Sequence, residues 1–470
     1  MGPSPPEQSP AHLPQDSSHQ HVDRVRQTTA KSASPSVGQS RGDAAPNEEG
    51  MLEQRPIADG TIAAALHGEP LQQPAWKREL HQAVAALPTS RRRSLRTFAL
   101  ADPGQLQLQP NAAAGPTPLV DLASNDYLGL SRHPRVMAAA TAEVERSGLG
   151  AGASRLVCGS RTVHRELEDA LAQWLGRERV LLFPSGFQAN IAAVCALAGR
   201  HSLVLADRLI HHSLLAGVRT SGARLQRFAH NDLSALEQRL AAAHDNARAK
   251  GAQPRLVVLS ESLYSMEGTS PAMGLLAAVC RQQGAALLLD EAHAIGILGR
   301  GGRGLGYGHP EVGLITGTLG KSLGSGGAFV AGDAMTMDWL LQSSGAFRYT
   351  TALAPTLAAG ALAALELIKA QEAQARPAGA ALLQEAERWR TALAAAGWPR
   401  PPGTGPILPL LVGDDSRALA LQHQLERAGL LAVAIRPPTV PEGSARLRLV
   451  VRADLPAGTL EQLIGALGSP

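Results

Sequence analysis

An α/β fold, with a mostly parallel sheet covered by helices and a smaller α+β unit behind it, is what this 470-residue sequence predicts. Two observations carry that expectation. The first is a series of short, continuous apolar runs: RVLLF (179–183), SLVLAD (202–207), RLVVLSES (255–262), AALLLD (285–290) and GLITGT (313–318). Between them lie helical stretches such as HRELEDALAQWL (164–175), FQANIAAVCALA (187–198) and DLSALEQRLAAA (232–243). Unbroken apolar strands alternating with helices belong to sheets buried on both faces. The second is a change of order after residue 350. Two long helical stretches are followed by a strand (ILPLLVG, 407–413), a helix (RALALQHQLERAG, 417–429) and two strands (LLAVAIR, 430–436; ARLRLVV, 445–451).

The expected organisation has four parts. Residues 1–70, rich in Pro, Ser, Gln, Gly and His, lack apolar periodicity and read as a disordered extension, because they bury too little to offset their ordering entropy. Residues 71–117 read as a helical segment, 118–345 as the large domain and 346–470 as the small one.

Composition narrows the function classes. Hydrophobic residues make up 44% and charged residues 18%, so a large core is available. A net charge of +4 is too mild to predict a nucleic-acid surface. No window reaches the apolar length of a membrane span, and the N-terminus lacks the apolar segment of a secretory signal. The three cysteines, Cys158, Cys195 and Cys280, have neither disulfide nor zinc spacing, which points to a reducing compartment and a cytoplasmic enzyme with no metal. Cys158 reads as a small buried side chain rather than a nucleophile.

Two motifs mislead. DEAH at Asp290–His293 and GKS at Gly320–Ser322 imitate an ATPase, but a phosphate loop needs glycine six positions before its lysine, where this chain has Ile315. Gly299-x-Gly301-x-x-Gly304 spells a dinucleotide fingerprint without the strand and helix that must flank one, and reads as a flexible loop.

A third group of residues fits pyridoxal phosphate. That cofactor needs a lysine for its aldehyde, a carboxylate for its pyridine nitrogen, a group stacked on its ring and donors for its phosphate. Of the five lysines (31, 77, 250, 321 and 369), only Lys321 follows a strand in a turn of small residues, TLGKSLGSGG. Asp290 ends the strand AALLLD, where α/β folds bind ligands, though an aspartate there also caps helices. His293, three residues on, is in reach of the ring's phenolic oxygen. Pro184–Asn190 joins a strand to a helix whose first N–H groups suit a phosphate. Either His211 or His212 can stack on the ring, and spacing does not choose between them.

These motifs resemble those of the α-oxoamine synthases, fold-type-I pyridoxal-phosphate enzymes, from about Arg91 to the C-terminus. The marks are SNDYLGL (124–130), GLGAGASRLVCG (148–159), SGFQAN (185–190), DRLIHHS (207–213), ESLYSMEG (261–268), DEAHAIG (290–296), TLGKSLG (318–324) and RPPTVPEGSARLR (436–448). The resemblance implies a mostly parallel seven-stranded sheet and a homodimer with shared active sites. It implies Lys321 as the cofactor-bearing lysine, Asp290 as the partner of the pyridine nitrogen and His293 as the ring-oxygen contact. His211, rather than His212, takes the stacking position. Gly186 and Phe187 resemble the phosphate site, Ser265 a cofactor contact and Thr318 a further phosphate contact. Thr351 resembles a phosphate donor from the neighbouring subunit. Arg446 resembles the arginine that grips the amino acid's carboxylate, with Asn125 in the same pocket, and Arg96 and Thr439 resemble substrate contacts.

Within the family, AIRPPTVPEGSARLRL (434–449) and RFAHND (227–232) are most similar to members that condense L-alanine with a pimeloyl thioester, carried on coenzyme A or an acyl-carrier protein. The alternatives are members that form 5-aminolevulinate, 2-amino-3-oxobutyrate or sphingoid bases. Arg91–Arg93, ahead of Arg96, read equally as an anion site or as a solvated helix face.

Overall fold

The computed structural model describes residues 73–108, 118–375, 377 and 379–470. The extension 1–70 lies outside them. The chain divides into two units, Met1–Arg78 and Glu79–Pro470, and the first contributes only residues 73–78 to the described part. All that follows concerns the second.

The segment 71–117 is not simply helical. After a helix that ends at Ala85 it turns into strands β1 (Phe98–Leu100) and β2 (Gln105–Leu108). Gln-Leu-Gln-Leu at 105–108 alternates with period two, the pattern of a strand rather than a helix. β2 pairs antiparallel with β3 (Pro118–Asp121).

The large sheet has seven strands: β4 (Arg179–Phe183), β5 (Ser202–Asp207), β6 (Arg224–Phe228), β7 (Arg255–Glu261), β8 (Ala286–Asp290), β9 (Val312–Thr318) and β10 (Ala328–Gly332). Their order is β4-β10-β9-β8-β7-β5-β6, and β10 alone runs against its neighbours. β6 and β10 escape an apolar-run reading for different reasons. β6 is an edge strand with four of its five residues exposed, and β10 is a short run between glycines. Side chains of each inner strand alternate between two cores, as the pleat requires. Leu205, Val258, Leu287 and Leu289 face one core; Val204, Val257, Leu259 and Leu288 face the other. Each such fully buried leucine contributes about 2–3 kcal/mol.

A third core sits under a three-stranded antiparallel sheet, β11 (Ile407–Gly413), β13 (Val433–Ile435) and β14 (Ala445–Val450), in the order β11-β14-β13. The expected strand 430–436 is split. Leu430–Leu431 (β12) pairs parallel with β3, and only β13 joins β14. The helix Pro355–Ala373 packs on helices Pro134–Ser147 and Thr162–Leu175 within the large core, so the change of core falls after it and not at residue 346.

The glycine-rich segment 299–304 is a fastened turn rather than a flexible loop. Gly296 N donates to Gly302 O at 2.7 Å and Gly304 N to Leu298 O at 2.9 Å, and the buried Glu291 accepts from Leu305 N and Gly306 N. No helix among the described residues is long and apolar enough to cross a membrane.

The turn after Lys321 depends on Gly324. Its φ is +62°, and a Cβ there would lie 2.2 Å from Ser131 N. The left-handed conformation alone costs a non-glycine residue roughly 1–2 kcal/mol, and the collision adds to it. Gly324→Ala is therefore expected to lower stability by at least about 2 kcal/mol, read as a reduced urea midpoint at unchanged slope. An unaltered midpoint would show that the turn can move away from Ser131.

Candidate active site

Five strands of the large sheet deliver polar residues to one edge. β8 ends on Asp290, β7 on Glu261, β5 on Asp207 and β9 on Thr318, while β4 leads through Pro184 into the helix Gly186–Leu197. In parallel sheets this carboxyl edge is where ligands bind.

Lys321, three residues past β9, points its Nζ at His293 Nε2, 2.9 Å away. Burial lowers the Lys321 amine to about 8, against the opposing pull of the Asp290 and Glu261 carboxylates. His293 is buried and held well below its ordinary value, first by burial and then by the charges of Lys321 and Arg448, so it is a neutral imidazole. Its Nδ1 lies 2.6 Å from the Tyr127 hydroxyl, and burial pushes that phenol up to about 12. Tyr127 donates to Asn125 Oδ1 at 3.2 Å, and Arg448 Nη2 donates to the same oxygen at 2.9 Å. The tyrosine's single proton is then used, so His293 carries its own on Nδ1 and receives Lys321 at Nε2. The result is an unbroken hydrogen-bonded chain from Arg448 to the amine.

Asp290 is buried and braced. Asn190 Nδ2 donates to its Oδ2 at 2.7 Å and Ala292 N to its Oδ1 at 2.9 Å. Asn190 is itself held by Thr316 Oγ1 at 2.7 Å and Ser213 Oγ at 2.8 Å. Glu261, also buried, is raised well above the carboxylate range by burial and by Asp290, and it accepts from His211 N. At the phosphate end, Ser185 caps the helix through Gln188 N at 3.3 Å, and a Cβ built on Gly186 meets nothing within 4 Å. A near-neutral amine, a braced buried carboxylate and an open helix N-terminus fit pyridoxal phosphate.

Comparison with known proteins agrees. Residues 117–467 match the family described as "Aminotransferase class I and II". The 8-amino-7-oxononanoate synthase of Pseudomonas putida (strain W619) is 42% identical over 362 residues, 76% of this chain and 90% of that protein. The enzyme of the same name from Methylococcus capsulatus is 44% identical over 354 residues, covering 74% and 88%. Among solved structures, serine palmitoyltransferase of Sphingomonas wittichii superposes with a TM-score of 0.71 at 26% identity, covering 87% of this chain and 96% of that one. An 8-amino-7-oxononanoate synthase structure from Francisella tularensis, at 24% identity and a TM-score of 0.63, shares the fold over 74% of this chain and 96% of its own.

The chain belongs to the α-oxoamine synthase family. It has that family's fold-type-I architecture, and the family's cofactor is pyridoxal phosphate. Against that background the expected site residues fall into three groups.

Lys321, Asp290, His293, Asn125 and Gly186 are brought together as described. His211 joins them: its Nδ1 lies 2.6 Å from Ser213 Oγ, and partial burial lowers its pKa, with Asp290 pulling it up and Lys321 pushing it down. His212 turns elsewhere, with its ring 6.3 Å from that of the exposed Phe187. Thr318 shapes the lysine turn, donating to Gly327 O at 3.0 Å and accepting from Gly320 N at 3.2 Å.

Arg446, expected to grip the amino acid's carboxylate, is engaged by the protein in this structure. Its guanidinium is bound by the protein itself, to Met266 O at 2.9 Å, Ser444 O at 3.1 Å and Glu267 at 3.4 Å. Arg448, two residues on along the same face of β14, is the arginine beside Asn125, and its charge acts on Lys321 and His293. Two arginines with period two in ARLR share a strand face, so motif position alone does not separate them.

Arg96 and Thr439 find their partners outside that group. Arg96 pairs with Glu426 at 2.6 Å, and Thr439 accepts from Arg93 at 3.1 Å. Ser265 contributes its carbonyl, which accepts from Arg448 Nε at 2.7 Å. Thr351 is exposed beside Thr350. Tyr127, Asn190, Glu261 and Arg448 were not singled out from the sequence, although each lies inside a quoted motif.

Arg448→Lys should raise the amino-acid KM by about tenfold or more, since lysine cannot supply a guanidinium's paired donors. Arg446→Lys should change it less than about threefold, because its present partners include the neutralising Glu267. The reverse ranking in steady-state kinetics would restore Arg446 to the role.

Proposed function

We propose that this chain condenses L-alanine with a pimeloyl thioester, releasing carbon dioxide and the thiol, to form 8-amino-7-oxononanoate in biotin synthesis. The observation that carries the reading is the joining of Arg448 to Lys321 through Asn125, Tyr127 and His293, which sets a carboxylate anchor at a fixed remove from a base. The names of the curated relatives support the choice of reaction.

Each residue then has a task. Arg448 and Asn125 hold the amino acid's carboxylate and so orient its Cα–H bond. Lys321, with an amine near 8, takes the Cα proton at Nζ, and neutral His293 accepts a hydrogen bond from that amine without adding charge. Asp290 would face the pyridine nitrogen of a bound pyridoxal phosphate and favour its protonated form. When bound, pyridoxal phosphate supplies the electron sink that both the deprotonation and the later decarboxylation require.

The acyl group has a fitting recess of about 880 Å³. Phe98, Leu106, Leu108, Val433 and Ile435 give it apolar walls, and Arg92, Arg93, Arg96 and Arg436 stand around it. It reaches Ala123, whose carbonyl accepts from Arg448 at 3.5 Å. A long chain with an anionic end, on coenzyme A or a carrier protein, suits such walls.

We also assign a homodimer. Ala352 N donates to Ala153 O at 3.0 Å and Gln188 to Thr350 at 3.2 Å, tying the segments on either side of Thr351 to those that carry the exposed Leu149, Leu156, Val157 and Phe187. Contiguous exposed apolar side chains mark a partner surface. Light scattering at twice 49.0 kDa checks this.

Supplying alanine, glycine and serine in turn with pimeloyl, succinyl, acetyl and palmitoyl thioesters, and weighing the products, tests the reaction. Only alanine with pimeloyl thioester should give an efficient turnover. Preferred use of serine with palmitoyl thioester would replace this reading with that of a sphingoid-base enzyme.

A further inference from the structure

Beside the carboxylate anchor lies a partly buried polar cluster to which the reaction assigns no task. Asp207, buried at the end of β5, accepts from Leu209 N at 2.8 Å and Asn231 N at 2.7 Å. Its two oxygens stand 3.1 and 3.0 Å from His230 Nδ1. His230 Nε2 is 2.8 Å from Thr269 Oγ1 and 3.3 Å from Asn231 Nδ2. Asn231 Nδ2 also donates to Ser270 O at 3.2 Å, which settles the orientation of that amide. An amide nitrogen only donates, so Nε2 is the accepting nitrogen and the His230 proton sits on Nδ1, facing Asp207.

The imidazole thus bridges two elements: the end of β5, four residues before His211, and the turn Tyr264–Ser270. That turn is closed by Tyr264 N to Thr269 O at 2.9 Å and Gly268 N to Tyr264 O at 2.8 Å. The Tyr264 ring meets His230 edge-on, with centroids 4.5 Å apart. On its other side the turn presents Ser265 O to Arg448 Nε at 2.7 Å and Met266 O to Arg446 Nη1 at 2.9 Å. Ser265 O therefore fixes the guanidinium whose Nη2 reaches Asn125.

We propose that His230 is a positioning residue for amino-acid recognition: held by Asp207, it pins Thr269, and through the Tyr264–Ser270 turn it sets the angle at which Arg448 meets a carboxylate. It touches neither substrate nor cofactor. The inference rests on Arg448 being the carboxylate anchor, as in the function proposed above.

The experiment titrates cofactor-loaded protein with L-alanine, following the cofactor's absorbance, and needs no acyl donor. Thr269→Val keeps the Asp207–His230 pair and removes only the hydroxyl; His230→Ala removes both links. Each variant should weaken alanine binding about tenfold and raise its KM in step, with kcat within about twofold and the alanine-free cofactor spectrum unchanged. The double variant should be no weaker than His230→Ala, since both act along one path. Thr269→Ser, which restores the hydroxyl, should bind as the native protein does. Native affinity in Thr269→Val and His230→Ala would overturn the proposal. So would a loss in kcat and cofactor absorbance matching a loss of melting temperature, the mark of a purely structural role. If the native protein itself gives no spectral response to alanine but responds to glycine or serine, the substrate reading fails, and repeating the titration with that amino acid tests the positioning role separately.

Discussion

A lysine amine buried among opposing charges is the constraint on which the rest of this site depends. Removing an ammonium from water disfavours its charged form, and an isolated buried lysine would lose its proton too readily to return one. Here the Asp290 and Glu261 carboxylates pull in the other direction, and the amine settles at about 8. Balance requires that the acids differ. Asp290 receives donors from Asn190 and Ala292, which suit an anion. Glu261 is raised well above its usual range by burial beside Asp290.

The site is not the property of one sheet. The amine and the buried acids come from the seven-stranded sheet, whereas Arg448 comes from β14 of the three-stranded sheet, over a separate core. Asn125 and Tyr127 follow β3, which pairs with β12. Small shifts between the cores would therefore displace the carboxylate anchor from the base, and at hydrogen-bond range a shift of about 1 Å has a large kinetic effect. The fixed turns around the site fit that demand. Gly268, with φ +66°, sits where a Cβ would be 2.6 Å from Ile407 O, so the Tyr264–Ser270 turn packs directly on β11.

Much of this was legible in advance because it follows from local rules. Continuous apolar runs marked the inner strands, and a lysine in a turn of small residues after one of them marked the cofactor site. The misreadings share a physical cause. The exposed edge strand β6 leaves little apolar signal, since edges are solvated. Residues 430–436 read as one strand because hydrophobicity does not say which sheet a residue joins, and the split between β12 and β13 is set by two different partners. The glycine-rich turn at 299–304 has no apolar side chain to announce that its backbone is clasped by Gly296 and Leu298.

Taken alone, the sequence pointed to the chemistry: one lysine in the right setting, an aspartate at a strand end, and an arginine, Arg446, near the C-terminus. Only the tertiary structure separates the two arginines. Arg446 and Arg448 are equivalent by residue type, motif and strand face, and they differ in what faces them across the gap. Glu267 and Met266 O occupy the first, while Asn125, in the hydrogen-bonded chain that leads to the amine, receives the second. Period and composition are properties of a segment, but the partner of a charge comes from another part of the chain, and its position exists only once both have folded.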